Sequence, residues 1–506
     1  MIYQDNREVG SILSEERIGI IDLGSNSVRL VIFEGRHRNP QIIFNEKSVI
    51  GLGRGMHATN RLNEAAMELA SVVLQRYQIV AAGMGVKLLK ILATAAIRDA
   101  ENGMDFVSKI QKFMPEISIT VLSGEDEAKY CADGLLLGFP SASGLLADLG
   151  GGSLELVFLR DGNIEQAASL PIGTIRLNER ADGKISRART IVEQELTSLP
   201  WLADVIGGNL FPIGGAFRAL ARIHMTQTSY PLSIVHHYTI RREEARNLAD
   251  FVTAAPRRSL ERIASAPMKR LNDLPFAAVV MRSLLRSSKI ERVVFSANGL
   301  REGWYARNLP EVVRASHPLL AAAAELAATW GRDADFPQAV AAWMAPLALS
   351  ETAEDAVLLR AAAFMCDIGS HDHPEYRAEQ SFLRVLRQHG VGLDHPARAF
   401  LALTVALRYE CEPNAAFLDQ AKVLLDPVSL RRAETLGAVL RLAFTLSGGV
   451  ASILTSTAIA IDGQNLVLRF QEGKGVFAGE SIIRRLEAVA NALDLRPRIL
   501  NITPGQ

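Results

Sequence analysis

Residues 22–31 read DLGSNSVRLV, and residues 148–157 read DLGGGSLELV. Six of the ten positions are identical (Asp, Leu, Gly, Ser, Leu and Val), and the two starts lie 126 residues apart (148 − 22). In the first copy the apolar runs Ile18 to Ile21 and Leu30 to Phe33 flank a Gly/Ser/Asn turn, the pattern of a β-hairpin. The second copy repeats that strand–turn–strand pattern from about residue 145. Self-similarity of this kind is the mark of a duplicated unit. It predicts two similar lobes, each presenting one acidic, glycine-containing turn.

Each turn sets an aspartate at a strand end and follows it with small residues. Glycines and serines let backbone N–H groups converge on an anion, with hydroxyls as further donors. A carboxylate beside such a nest repels phosphate. The pairing makes sense with Mg²⁺ between them, because Mg²⁺ favours one or two carboxylates together with phosphate oxygens and water. Two such turns facing each other clamp a phosphate from both sides.

Working outward, residues 63–82 carry helical spacing and Leu88 to Ala93 reads as a buried strand. Ser123-Gly-Glu-Asp-Glu-Ala opens a helix, with Ser123 as N-cap and the acids where the helix dipole favours them. Strands and helices alternate until about residue 305. After about 316 the pattern is almost wholly helical, with a short strand pair near 466–479. The expected domains are therefore 1–130, 131–310 and 311–506, the last boundary lying near Pro310 and Pro318.

The totals narrow the function. At 506 residues several domains are expected, and 48% apolar with 22% charged residues is a globular composition. Lys plus Arg and Asp plus Glu both total 55, so no global basic excess advertises nucleic acid and any anion patch is local. Cys131, Cys366 and Cys411 show no metal-type spacing and cannot all pair, which suits a reducing cytosol. The first 17 residues, MIYQDNREVGSILSEER, lack the order of a signal peptide, and no run of about 20 apolar residues predicts a membrane span.

The pair DLGSNS and DLGGGSLEL, with SGEDEA (123–128) between them, resembles the exopolyphosphatase and guanosine pentaphosphate phosphohydrolase family. Supporting segments are ATAAIRDAENG (93–103), LPIGTIRL (170–177), PIGGAFRALARI (212–223) and SANGLREG (296–303). The resemblance covers roughly residues 17–306. It implies an α/β fold of duplicated actin-like (ribonuclease H-like) lobes followed by an all-α C-terminal domain. It also implies a cytoplasmic, homodimeric hydrolase that needs Mg²⁺ and releases orthophosphate processively from the end of inorganic polyphosphate. Guanosine pentaphosphate is the alternative substrate.

By that resemblance Glu127 matches the general base and Arg98 an arginine reaching the substrate phosphates. Asp22, Asp148 and Glu155 match the acids around the metal. Ser25, Asn26 and Ser27, with Gly150, Gly151, Gly152 and Ser153, match the phosphate-binding turns. Gly214 and Gly215 form a turn before a helix, whose N-terminus suits a further phosphate. The residues alone do not choose among Glu125, Asp126 and Glu127 as base.

The chain departs from the family pattern at two places. Leu154 stands where a Thr is usual, so the second turn is expected to lack one hydroxyl, and Phe217 with Arg218 is expected to narrow or recharge the 212–220 turn, which disfavours a nucleotide there. In the C-terminal part FMCDIGSHDH (364–373) resembles the His-Asp metal phosphohydrolases, with Cys366 in place of the His before Asp367. His371, His373 and His395 follow no ordinary ligand spacing, so a packing or dimerisation role is expected rather than a second metal. Arg241 and Arg242, Lys269 and Arg270, Arg282, Arg286 and Lys289, and Arg431 and Arg432 are candidates for a basic track along a long polyanion. The competing functions are an actin-fold kinase and a non-enzymatic sensor of guanosine polyphosphates or long anions.

Overall fold

The computed structural model describes residues 16–263, 271–349, 352–389, 392–471 and 479–502. The chain divides into two compact units between Ala315 and Ser316.

The first unit holds two sheets of the same construction. In lobe 1 the strands are β1 (Ile18–Leu23), β2 (Ser27–Glu34), β3 (Gln41–Val49), β4 (Leu88–Ala93) and β5 (Ser118–Val121), in the order β3-β2-β1-β4-β5. In lobe 2 they are β6 (Gly144–Leu149), β7 (Leu154–Arg160), β8 (Asn163–Leu170), β9 (Asn209–Ile213), β10 (Thr239–Arg241) and β11 (Arg292–Val294), in the order β10-β11-β9-β6-β7-β8. Each lobe begins with an antiparallel meander, β1-β2-β3 or β6-β7-β8. Each then adds parallel strands on the other side of its first strand. The duplication read from two ten-residue stretches is thus a duplication of whole sheets, with β10 an extra edge strand in lobe 2.

Strand parity explains where the acids go. Side chains alternate between faces along a strand. Ile18, Ile20, Val31 and Phe33 of lobe 1 share one core with Leu146, Val157, Leu159 and Phe211 of lobe 2. Ile21 and Leu23 turn to the opposite face, as do Leu145, Ala147 and Leu149. Asp22 and Asp148 have the parity of Ile20 and Leu146, so both lie on the faces that the two sheets turn towards each other.

That shared core is filled by two helices, α3 (Gly124–Gly138) and α6 (Leu300–Arg307). The other helices that bear on the site are α1 (Glu64–Gly83), α2 (Ala95–Asp99), α4 (Thr174–Arg180) and α5 (Gly215–Gln227). Glycines let α3 and α6 touch at backbone distance. A Cβ on Gly303 would lie 1.7 Å from the Tyr130 carbonyl, and one on Gly134 2.1 Å from that of Gly299. The division expected after residue 130 falls inside α3, because this helix belongs to the core that both sheets share. Ser123 caps it by accepting from the Asp126 amide at 3.1 Å.

The second unit is helical apart from a three-stranded sheet of β12 (Thr457–Asp462), β13 (Asn465–Gln471) and β14 (Arg496–Ile502). The strand pair expected near 466–479 lies earlier, at 457–471, and residues 472–478 are outside the described part. The small alanines of TAIAID (457–462) hide the strand signal of β12. Cys366 is buried. The Asp367 carboxylate accepts from Arg332 Nη2 at 3.0 Å and Nε at 3.1 Å, and from Arg408 Nη2 at 3.3 Å. Guanidinium groups therefore sit on the carboxylate that a metal would need. Among the described residues no three His, Cys, Asp or Glu side chains gather as a metal cage, and no helix is long and apolar enough to cross a membrane.

Candidate functional site

Both acidic turns fold alike. The Gly24 amide donates to the Ser27 carbonyl at 3.1 Å, and the Gly150 amide to that of Ser153 at 3.0 Å. Neighbouring segments then bind the turn carbonyls. In lobe 1, Ile50 and Gly51 donate to the Asn26 carbonyl and Gly53 to that of Ser25. In lobe 2, Thr174 donates to the Gly150 carbonyl, and Ile175 and Arg176 to that of Gly151. With their carbonyls held from behind, the turns present amide and hydroxyl groups forward.

The cleft between the lobes is lined by Asp22, Gly24 to Ser27, Glu127, Asp148, Gly150, Gly151, Ser153, Glu155, Gly214 and Gly215. Sequence reasoning missed several other lining residues, among them Arg29, Lys47, Thr94, Thr174 and Arg301. Of the expected site residues, Gly152 and Arg98 are not part of the lining. Gly152 is an interlobe contact, since a Cβ there would stand 2.6 Å from Ser25 Oγ. Arg98 sits behind the cleft and grips Glu127, its Nη1 donating to Oε2 at 3.1 Å and its Nε to Asp99 Oδ1 at 3.0 Å.

The acids are densely packed. Burial raises the Asp22 carboxyl above its ordinary value, against the pull of Arg301 and Arg29. Burial also raises Asp148, which Cys131 and Arg218 partly offset. Glu155 is pushed up to about 7 by burial and by Asp148, despite hydrogen bonds from Ser153 and Ser169. Glu127 is raised by burial and by Glu155, with Arg98 opposing. Facing them, Arg218 is lowered to about 10 by burial and by the cations Arg301 and Arg29. The lining carries four acids (Asp22, Glu127, Asp148, Glu155) and four bases (Arg29, Lys47, Arg218, Arg301).

Two polar atoms at the site are buried without a hydrogen-bond partner, Asn26 Oδ1 and Arg301 Nη1. Such atoms cost free energy unless a ligand or water completes them. Gly214 has a φ of +96°, and a Cβ there would lie 2.5 Å from the Leu149 carbonyl and 2.9 Å from Asp148 Oδ1. Only glycine fits beside that carboxylate.

Two sequence expectations are corrected here. Phe217 does not narrow the turn after β9; it is fully buried in the lobe 2 core, while Arg218 alone reaches the cleft. Leu154 also faces that core, so the departure from Thr removes no hydroxyl from the cleft. Among the described residues, several members of the basic clusters already have partners. Arg242 donates to the Ser288 and Ile290 carbonyls, and Arg282, Arg286 and Arg432 pair with Asp250, Glu193 and Asp355. Lys269 and Arg270 lie outside the described residues.

Residues 31–312 match the family model described as "Ppx/GppA phosphatase family", and residues 319–498 match "Exopolyphosphatase, C-terminal". The chain is 27% identical over 309 residues to "Exopolyphosphatase 1" of Mycobacterium tuberculosis, covering 58% of this chain and 88% of that protein. "Exopolyphosphatase 2" of the same organism is 26% identical over 313 residues, covering 57% and 97%. Among solved structures, an exopolyphosphatase from Cytophaga hutchinsonii superposes with a TM-score of 0.53 at 24% identity, covering 57% of this chain and 96% of that one. This last likeness speaks to the fold.

Proposed function

Since the chain belongs to the Ppx/GppA phosphatase family, and is thus a phosphatase hydrolase, we propose that it cleaves the terminal phosphoanhydride of inorganic polyphosphate. The observation that carries this reading is the cleft itself. Two matched acidic turns face each other across it, and its lining contains guanidinium, hydroxyl and backbone groups but no aromatic ring. A phosphate chain needs nothing more. A guanine base calls for stacking or edge recognition, which makes guanosine pentaphosphate the second choice.

The residues suit Mg²⁺. Asp22, Asp148 and Glu155 offer oxygen only, and the lining sets four acids against four bases. A terminal phosphate adds negative charge that a divalent cation offsets. Mg²⁺ is ordinarily held by one or two carboxylates together with phosphate oxygens and water. Mg²⁺ bound there supplies charge neutralisation to the phosphate oxygens.

In the reaction the turn amides, with Arg29, Arg218 and Arg301, hold and orient the terminal phosphates. Glu127 takes a proton from the attacking water, one of its oxygens being fixed by Arg98. The water oxygen bonds to the terminal phosphorus, the P–O–P bridge breaks, and the bridging oxygen leaves with the shortened chain. We place the enzyme in the cytoplasm as a homodimer. The three thiols are free, in keeping with a reducing compartment, and light scattering tests the dimer.

The experiment is phosphate release from long polyphosphate, guanosine pentaphosphate and ATP, with and without Mg²⁺. Fastest release from polyphosphate, abolished by chelation, is expected. Faster release from guanosine pentaphosphate at matched concentration would reverse the substrate order. Phosphoryl transfer from ATP to an acceptor would make the protein a kinase.

A further inference from the structure

Behind the cleft a chain of ionic hydrogen bonds runs from one lobe to the other and ends on Glu127. It starts on α4, the helix that follows the second acidic turn. The Arg176 amide donates to the Gly151 carbonyl at 3.2 Å, so this residue is part of the turn's backing. Its side chain crosses to lobe 1, where Nη2 meets Asp99 Oδ2 at 2.7 Å. The other oxygen of Asp99 accepts from Arg98 Nε at 3.0 Å, and Arg98 Nη1 in turn meets Glu127 Oε2 at 3.1 Å. The path is Gly151, Arg176, Asp99, Arg98, Glu127.

One turn further along α4, Glu179 Oε1 accepts from the Gly55 amide of lobe 1 at 2.9 Å. Residues three apart share a helix face. The same face of α4 thus offers lobe 1 a cation and an anion, each meeting its complement.

We propose that Asp99 and Arg176 are positioning residues that aim Glu127 through Arg98, by way of this contact between the lobes. The inference rests on Glu127 being the base. The guanidinium of Arg98 is planar and its donors form a rigid fork. It is held at Nε by Asp99 and at Nη1 by Glu127 and the Leu122 carbonyl, so its orientation is tied to these partners. Asp99 is itself fixed by Arg176 of the opposite lobe. If the lobes part, Asp99 loses its outer partner, Arg98 gains freedom, and the carboxylate of Glu127 is no longer aimed. Exposed ion pairs of this kind contribute little to stability, and the side chains of Asp99 and Arg176 are 31% and 21% exposed. Their value is geometric, and a displacement of about 1 Å at a reacting group costs up to about 10²-fold in rate.

The test is steady-state phosphate release from long polyphosphate by Arg176→Ala, Asp99→Ala and Arg98→Ala, alone and in pairs, with melting temperatures. Arg176→Ala is expected to lower kcat about tenfold while KM stays within about twofold and the melting temperature within about 2 °C. Combined with Arg98→Ala it should lower kcat no further, because its effect passes through Arg98. Arg176→Lys should recover part of the loss. An unchanged kcat in Arg176→Ala, or a loss that multiplies fully with that of Arg98→Ala, would show an ordinary interlobe contact and overturn the coupling. If wild-type protein releases no phosphate from any substrate, the functional reading fails and this inference fails with it. If wild type is active and Glu127→Gln is equally active, only the placement of the base is wrong, and the path leads nowhere.

Discussion

The two acidic turns share a backbone and differ in charge. In both, the first glycine donates to the carbonyl three residues on, at 3.1 Å in lobe 1 and 3.0 Å in lobe 2. In both, the aspartate stands opposite the eighth residue of the repeat in the strand ladder, Asp22 against Arg29 and Asp148 against Glu155. Lobe 1 therefore pairs acid with base, and lobe 2 pairs acid with acid. Directly opposed like charges are unfavourable unless something lies between them. The scaffold is present twice, and the charge at the eighth position of the repeat sets the two copies apart. On the proposed function, lobe 1 would hold the anion beside its own base, and the two acids of lobe 2 would suit a cation.

This division ranks the expected effects. Glu127→Gln keeps the shape but cannot take a proton, and should lower kcat by about 10²–10⁴-fold with the fold intact. Near-normal turnover would move the base to Glu155, its buried neighbour. Asp148→Asn should be worse than Asp22→Asn, at about 10²-fold against about tenfold in kcat, with the Mg²⁺ requirement raised more in the first. The reason is that Asp22 stands opposite a base, Arg29, in its strand ladder, whereas Asp148 stands opposite a second acid, Glu155. Equal losses, measured over a Mg²⁺ titration, would erase the distinction between the lobes.

What the sequence made legible follows the same line. The repeat disclosed the hairpins and the expectation of two facing turns, but that Asp22 and Asp148 lie on the faces turned towards each other needed the core that the two sheets share. Glu127 needed the family resemblance, because Glu125 and Asp126 share its helix start. The cations were hidden: Arg29 sits within the quoted repeat but reads as a polar strand residue, and Arg301 arrives from 272 positions later (301 − 29). Conversely, Arg282, Arg286 and Arg432 look like a track only while their partners Asp250, Glu193 and Asp355 are out of view. Local runs of charge say little until the chain has folded their complements beside them.

A smaller effect concerns pH. Glu155 titrates near 7 in the folded protein and near 4.5 when exposed. Between these values the native state binds more protons than the unfolded one, so stability declines as pH rises through that window. The contribution is present below about 4.5 and lost above about 7, and amounts to at most about 3 kcal/mol. Urea midpoints of metal-free wild type should fall from pH 5 to pH 8 relative to those of Glu155→Gln. A difference between the two proteins that does not vary with pH would mean that the acid pair of lobe 2 is already relieved without a cation.

The smallest expected effect lies at Cys131, which has no counterpart in lobe 1. It follows Glu127 by four residues, so one face of α3 carries both towards the cleft. Its Sγ donates to Asp148 Oδ2 at 3.0 Å. The other oxygen of that carboxylate faces Gly214, where a Cβ would stand only 2.9 Å away. Asp148 is thus held on one side by a thiol and given room on the other by a glycine. A thiol is a weak donor, so its loss should be mild. Cys131→Val keeps the volume and removes the donor, and should lower kcat about threefold while weakening the apparent affinity for Mg²⁺ by a similar factor. Cys131→Ser restores a hydroxyl donor and should lie between Val and wild type. If Val matches wild type in both measurements, the walls at Gly214 and Gly299 orient Asp148 by shape alone. If Val is as damaging as Asp148→Asn, the thiol is the main restraint on the carboxylate, and lobe 2 depends on α3 for its metal-facing acid as well as for its base.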